Sequence, residues 1–414
     1  MTRTPSRALR GASVDRVRAA LRARDPLPGG RGFAGRIADP PGRSGPVLVR
    51  DVLGREPIFL ERDVTALGVS RPPADSDAAS ADSDADPTAP THWSFDRSDL
   101  DDPVSVPAGS VVSTGGTERV WSLPDDGPVD PNAGQAAVDA ALDDVLADLA
   151  RGGAGGGSRG AGGGDDLAVA FSGGVDSGVV AAAVPDAPRY VAGFEGCHDV
   201  SAAREAAAAA DRAVDLRVVE ITHEELVRAV RAVADATGRR NPMDVAIAVP
   251  LYLVAEAAAE DGFERLAVGQ GADELFGGYS KVVDPADDHR VDADTVRGAR
   301  TETVRTLPNQ LERDALAIRA AGAEPVAPLL DDRIVDAALA LPGALLSAGG
   351  ERKIALRRAA AGRVPESVRV ADKKAVQYGT YVSRELDRLA RRAGFKRRMD
   401  DHVGRYLDEL LSDG

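Results

Sequence analysis

The sequence predicts an α/β fold: a parallel doubly wound sheet, preceded by a small β-rich N-terminal domain and followed by a helical C-terminal part. Three observations carry this expectation. Between residues 165 and 270, short apolar strand-like runs alternate with helical stretches, the pattern of a parallel sheet with helices on both faces. Glycine-rich turns directly follow two of those strands, at 172–177 and 269–278. Before residue 125 the apolar segments are shorter and lie between Gly and Pro punctuation, which favours small antiparallel sheets.

Taken in order, Val14 to Leu21 places apolar residues at helical spacing. Gly32 to Ile37, Pro46 to Asp51 and Pro57 to Glu61 read as short strands, as do residues 105–112 and 118–122. The Ser/Asp/Ala-rich stretch 73–90 has little to bury and reads as a disordered loop. A helix is expected from Pro131 to Leu149, with Val138, Leu142, Val145 and Leu149 on one face and Asp130 as its cap. Gly152 to Gly164 reads as a flexible linker. Strands are then expected at 167–171, 189–194, 216–221 and 265–268, with helices such as 201–213 and 224–237 between them; 291–414 reads as helical with Pro and Gly breaks. The expected divisions are 1–128, 129–164, 165–392 and a C-terminal helix in 393–414.

Asp plus Glu number 66 against 51 Lys plus Arg, so a polyanionic nucleic acid is not an expected partner. Only five of the cations are lysine, at 281, 353, 373, 374 and 396; this acidic, lysine-poor composition resembles that of proteins from salt-loving archaea. A single cysteine, Cys197, excludes an internal disulfide and multi-cysteine metal sites, and fits a cytoplasmic setting. His198 beside it reads as a loop residue. With no long uncharged apolar span, no membrane is expected.

Phe171-Ser172-Gly173-Gly174-Val175-Asp176-Ser177 carries the chemistry. Ser172 and Ser177 supply hydroxyls, Gly173 and Gly174 let backbone N–H groups approach an anion, and the following helix points its positive end at the same place. The loop lacks the lysine of a Walker A motif, and Asp176 among phosphates implies Mg²⁺. A second motif is Val268-Gly269-Gln270-Gly271-Ala272-Asp273-Glu274-Leu275-Phe276-Gly277-Gly278-Tyr279. The first motif resembles the pyrophosphate loop of the N-type ATP pyrophosphatases. The second is similar to the GEGxDELFGGY signature of asparagine synthetases, and the resemblance to that family covers about 165–390 strongly and about 30–125 faintly.

That resemblance implies an adenine nucleotide α-hydrolase-like fold and a reaction in which ATP adenylates the side-chain carboxylate of aspartate. Ammonia then gives asparagine, AMP and pyrophosphate. It implies ATP contacts at Ser172, Gly173, Gly174, Asp176 and Ser177, backbone contacts to adenine at Ala192, Gly193 and Gly269, and Mg²⁺ on Asp176 and Asp273. Lys373 matches the family's late lysine, whose charge would offset the α-phosphate; Lys374 is the alternative, and Lys353, in a segment similar to KxxLR, is a weaker candidate.

Two features depart from the pattern. Gln270 stands where the family has a glutamate, and an amide orients but neither takes a proton nor carries charge; this leaves open a related synthetase acting on another carboxylate, or a nucleotide-binding paralogue. The chain begins Met1-Thr2-Arg3-Thr4 instead of with a cysteine nucleophile. Residues 47–61 nonetheless resemble the DRxGxxPL element of the glutaminase half, so the N-terminal domain reads as a degenerate remnant. Ammonia would come from solution or from a separate glutaminase.

Overall fold

A computed structural model describes residues 8–62, 88–89, 92–125, 127–152, 166–210, 213–371 and 375–412. Most of the expected loop 73–90, nearly all of the Gly-rich linker, and both Lys373 and Lys374 lie outside the described residues.

Among the described residues, the N-terminal part contains eight short strands: β1 (Leu9–Arg10), β2 (Ala34–Ile37), β3 (Val47–Arg50), β4 (Phe59–Glu61), β5 (Trp93–Ser94), β6 (Pro103–Ser105), β7 (Ser110–Ser113) and β8 (Gly116–Arg119). They form two antiparallel sheets, in the orders β1-β2-β3-β7-β8 and β5-β4-β6. Alternation along β3 sends Leu48 into a small core with Ile58, Leu60, Trp93 and Val112. Val47 and Val49 point the other way, into the core shared with α1 (Val14–Ala23) through Val17 and Leu21. The single strand expected over 105–112 is two strands. Gly109 turns the chain at φ +73°, and a Cβ there would lie 2.5 Å from the Trp121 carbonyl oxygen, so the segment cannot run straight.

The helix α2 (Pro131–Ala150) is capped as expected, Asp130 accepting from the Asn132 and Ala133 N–H groups. Beyond it lies a five-stranded parallel sheet: β9 (Leu167–Ala170), β10 (Arg189–Gly193), β11 (Leu216–Glu220), β12 (Arg265–Ala267) and β13 (Glu324–Val326), in the order β11-β10-β9-β12-β13. Helices cover both faces. Val169 and Val191 meet α2 and α3 (Val175–Ala183) on one side. Ala168, Tyr190 and Ala192 meet α5 (His223–Thr237) and α6 (Pro242–Glu260) on the other, with α4 (His198–Ala208) between β10 and β11 in sequence. Helix α6 is long and apolar enough to cross a bilayer, and 56% of its most apolar stretch is buried within this fold.

Two further sequence expectations need correction. β13 falls in the region read as helical with Pro and Gly breaks; it is a three-residue edge strand containing Pro325, too short to show alternation. His198 opens α4 instead of lying in a loop, so that helix runs 198–208 and not 201–213.

Downstream, α7 (Ala272–Phe276), α8 (Val296–Val304), α9 (Leu307–Ala320) and α10 (Asp332–Leu339) carry the chain toward a helical C-terminal end. The two parts of the molecule are pinned together by buried ion pairs, Arg50 to Glu312 at 3.0 Å and Arg55 to Asp332 at 2.7 Å, with Arg55 also held by Asp51.

Candidate active site

In the parallel sheet the strand order reverses between β9 and β12, and a crevice opens beyond the strand ends at such a point. Both motifs sit there. After β9 the chain turns at Gly173 with φ +75°; a Cβ would lie 2.5 Å from the Ala202 carbonyl on α4, so only glycine fits. The Ser172 N–H donates to Ser177 Oγ at 3.2 Å, and the two hydroxyl oxygens are 3.1 Å apart. These serines therefore brace the loop against the first turn of α3. Gly174 caps that helix with no side chain, leaving its first N–H groups available to an anion.

After β12, Gly269 crosses the start of α3 so closely that a Cβ would stand 2.9 Å from the Ser177 nitrogen. The two loops are thereby held in contact. Gly271 at φ +87° then starts α7, which carries Asp273. A Cβ on Gly278 would lie 1.8 Å from Asp273 Oδ1 and 2.3 Å from Lys353 Cε, a close approach that only glycine permits.

Lys353 joins the two motifs. Its Nζ donates to Asp176 Oδ2 at 2.6 Å and lies 2.7 Å from Asp273 Oδ1. Burial alone would lower its pKa, but the two carboxylates outweigh burial and hold the ammonium above the ordinary lysine range. The residue has φ +56°, a left-handed conformation that costs a non-glycine residue about 1–3 kcal/mol. Next to Asp273, burial and the neighbouring carboxylate push the Glu274 carboxyl up to about 7, and the Tyr279 hydroxyl donates to it at 2.6 Å.

At the other end of the crevice, Gln270 Nε2 donates to Asp314 Oδ2 at 2.6 Å, and Arg313 Nε donates to Asp314 Oδ1 at 2.7 Å. Arg313 also donates to Asp244 at 2.7 Å. Burial opposes the Arg313 charge, and Asp314 and Asp244 more than restore it.

The two ends share one cavity of about 480 Å³, with Val191, Ala192, Leu251 and Val254 forming an apolar flank. Ser172, Gly174, Asp176, Ser177, Ala192, Gly269, Gln270 and Asp273 line it. Gly173 packs behind the loop on α4, and Gly193 faces Cys197, where a Cβ would be 2.2 Å from Sγ. Ala371 and Ala375, which flank the segment holding Lys373 and Lys374, are on the cavity wall. The structure brings Lys353, the weaker candidate of the sequence reading, onto both acids, and adds Asp314 and Arg313, which that reading did not name. Rarity of lysine was the available signal for the first; the others lie in an ordinary charged helix. The Cys197 thiol is buried, and burial raises its pKa, so it is a packing group.

Among the described residues no three His, Cys, Asp or Glu side chains group as a metal cage. Asp176 and Asp273 are two hard-oxygen donors sharing one cation, which suits an Mg²⁺ ion that completes its shell with phosphate oxygens and water.

Residues 164–302 and 284–409 match the family model described as asparagine synthase. A relative from Methanocaldococcus jannaschii, named "Putative asparagine synthetase (glutamine-hydrolyzing) 1", is 28% identical over 281 residues, covering 59% of this chain and 51% of that protein. The chain thus spans about half the length of the relative it matches.

Proposed function

The chain belongs to the asparagine synthase family, and on that premise we propose that it forms an amide from a carboxylic acid, ATP and ammonia through an acyl-adenylate, with aspartate as the acid. The observation that carries this reading is the Asp176–Lys353–Asp273 bridge set over a glycine loop at the head of α3. We take the sheet to be adenine nucleotide α-hydrolase-like, with the adenine against the apolar flank by Ala192 and Gly269, and the β- and γ-phosphates on the N–H groups that follow Ser172. Asp176 and Asp273 would hold Mg²⁺, which when bound supplies positive charge to the departing pyrophosphate.

The chain's own part is positioning and charge balance. Lys353 cancels one of the two carboxylate charges, so that ATP does not meet a doubly negative wall. A carboxylate oxygen of the acid attacks the α-phosphorus as the bond to pyrophosphate breaks; ammonia then attacks the acyl carbon and AMP leaves. Lys373, or Lys374, is our candidate for the cation at the α-phosphate. At the Gln270–Asp314 end, Asp314 is the carboxylate placed to order the acid and to accept a proton from the incoming nitrogen.

One observation favours a second reading. Gln270 is neutral and its amide is committed to Asp314, so a related synthetase acting on another carboxylate is the alternative. For nitrogen we propose free ammonia or a separate glutaminase. Arg50, from the element resembling the glutaminase half, is engaged in structure through both terminal nitrogens: it donates to the carbonyls of Val106 and Gly54 and to Glu312. The β-rich part then acts as a degenerate glutaminase-like scaffold.

The test is pyrophosphate release from ATP and Mg²⁺ at high salt, with ammonium and a panel of amino acids. Aspartate-dependent release with asparagine formed, abolished in Asp176→Ala, supports the proposal. Release with a different acid moves the substrate, and none with any acid overturns the enzyme reading.

A further inference from the structure

A second cavity of about 480 Å³ lies between the β-rich part and the helices, away from the site above. Its wall takes Leu53 and Arg119 from the former, Asp125 from the connection, and Arg297, Arg300 and Arg305 from α8 and the turn after it. Among the described residues, four arginines and one acid thus line this cavity, in a chain whose net charge is −15.

Arg300 is the telling residue. It shares the buried face of α8 with Ala299, Thr303 and Val304, where an apolar side chain would pack more cheaply, and it is 1% exposed. Its Nη1 and Nη2 each donate, at 2.9 Å, to the carbonyls of Ala338 and Leu339 at the end of α10. Those carbonyls satisfy hydrogen bonds without cancelling a full charge, and Nε has no partner among the described residues. Burial and Arg297 push this guanidinium down to about 10, Asp125 acting against them. Arg119 and Arg305 form no ion pair with a described residue. A buried charge without a full counter-charge is expensive, and a bound anion would offset that cost.

We infer that this interdomain cavity is a binding site for a small multivalent oxyanion. Among the described residues, Arg119, Arg300 and Arg305 against Asp125 leave two positive charges, more than a halide balances. The planar guanidinium fork matches phosphate or carboxylate oxygens in pairs. The volume admits an anion of several heavy atoms. Because the arginines come from both parts of the molecule, the anion ties the β-rich part to α8. It is independent of the acyl-adenylate proposal.

The experiment is calorimetric titration of the full chain without ATP, using inorganic phosphate and, separately, citrate, in potassium chloride of matched ionic strength. Saturable binding of either is expected, with affinity at least tenfold weaker in Arg119→Ser and in Arg305→Ser, both exposed positions whose replacement leaves folding intact. Affinity in Ser172→Ala should stay within twofold, which separates this cavity from the glycine loop. In Arg300→Met the anion-dependent rise in Tm should vanish. Preference for phosphate names a phosphate-bearing ligand and preference for citrate a polycarboxylate, and either supports the site. Affinity unchanged in both serine variants, loss only in Ser172→Ala, or heat that matched chloride abolishes would each overturn it.

Discussion

Replacing Lys353 by Met removes the ammonium that bridges Asp176 and Asp273, at 2.6 and 2.7 Å, while keeping the length of the side chain. Breaking a buried ion pair by deleting one partner costs about 3–5 kcal/mol. Here the two carboxylate side chains remain 22% and 44% exposed, so water takes part of the load and the expected loss is nearer 2–3 kcal/mol. For a unit of this size that is a fall in Tm of roughly 5 °C. Magnesium should stabilise the variant more than the parent and so narrow the gap, because Lys353 no longer competes for the two carboxylates; at a hundredfold excess over Kd the gain in the variant is about 2.7 kcal/mol. Pyrophosphate release should drop about 10²- to 10³-fold, the usual loss when a charge aimed at a reacting oxyanion system is removed. The sign of the pH effect follows from the direction of the shift. A raised lysine pKa means that the stabilisation is complete below the unfolded value near 10.4 and disappears only as pH rises through the still higher folded value. The deficit should therefore be constant from pH 6 to about 9. Thermal melts with and without Mg²⁺, read beside the release assay, decide it. A variant melting within about 1 °C of the parent, and releasing pyrophosphate within about threefold of its rate, would refute the bridge as the centre of the site.

Asp314→Asn should lower acid-dependent turnover about 10²-fold or more while the KM for ATP changes little, because Asp314 lies at the Gln270 end of the cavity; equal effects on both would count against that assignment. Gly173→Ala should cost more than about 2 kcal/mol in urea unfolding and abolish ATP binding, since a left-handed turn and a contact at 2.5 Å are both violated. Asp387 is held below the usual carboxylate range, chiefly by a hydrogen bond from Arg397 and also by His402, against the opposing effect of burial. A depressed folded pKa gives stabilisation that is present above the unfolded value near 3.9 and is lost as pH falls through the lower folded value. Asp387→Asn should therefore cost about 1–2 kcal/mol at pH 7 and progressively less below about pH 4; a cost that grows on acidification would contradict the clasp.

The sequence was most legible where one local rule decides the outcome. The short, turn-bounded apolar runs that predicted β3 and β9 have side chains shared between two real faces, and Asp130 caps α2 because its carboxylate meets two N–H groups. The glycine motifs were legible because backbone approach at Gly173, Gly269 and Gly278 leaves no room for a Cβ. Partnerships over long sequence distances were not. Lys353 stands 177 residues from Asp176, and only the fold shows that it meets both acids. Asp314 gave no signal because its role depends on where α9 lies against Gln270. β13 was missed for a different reason, since three residues containing a proline show neither period nor propensity.

The central claim, that the acid is activated by bonding to the α-phosphorus of ATP, is tested most directly by tracing oxygen. Aspartate labelled with heavy oxygen in its side-chain carboxylate would be incubated with ATP, Mg²⁺ and ammonium, and the AMP examined by mass spectrometry. Our account predicts AMP carrying one labelled oxygen, in equal yield with an amide that has lost one. Unlabelled AMP, or ADP with phosphate in its place, would contradict it.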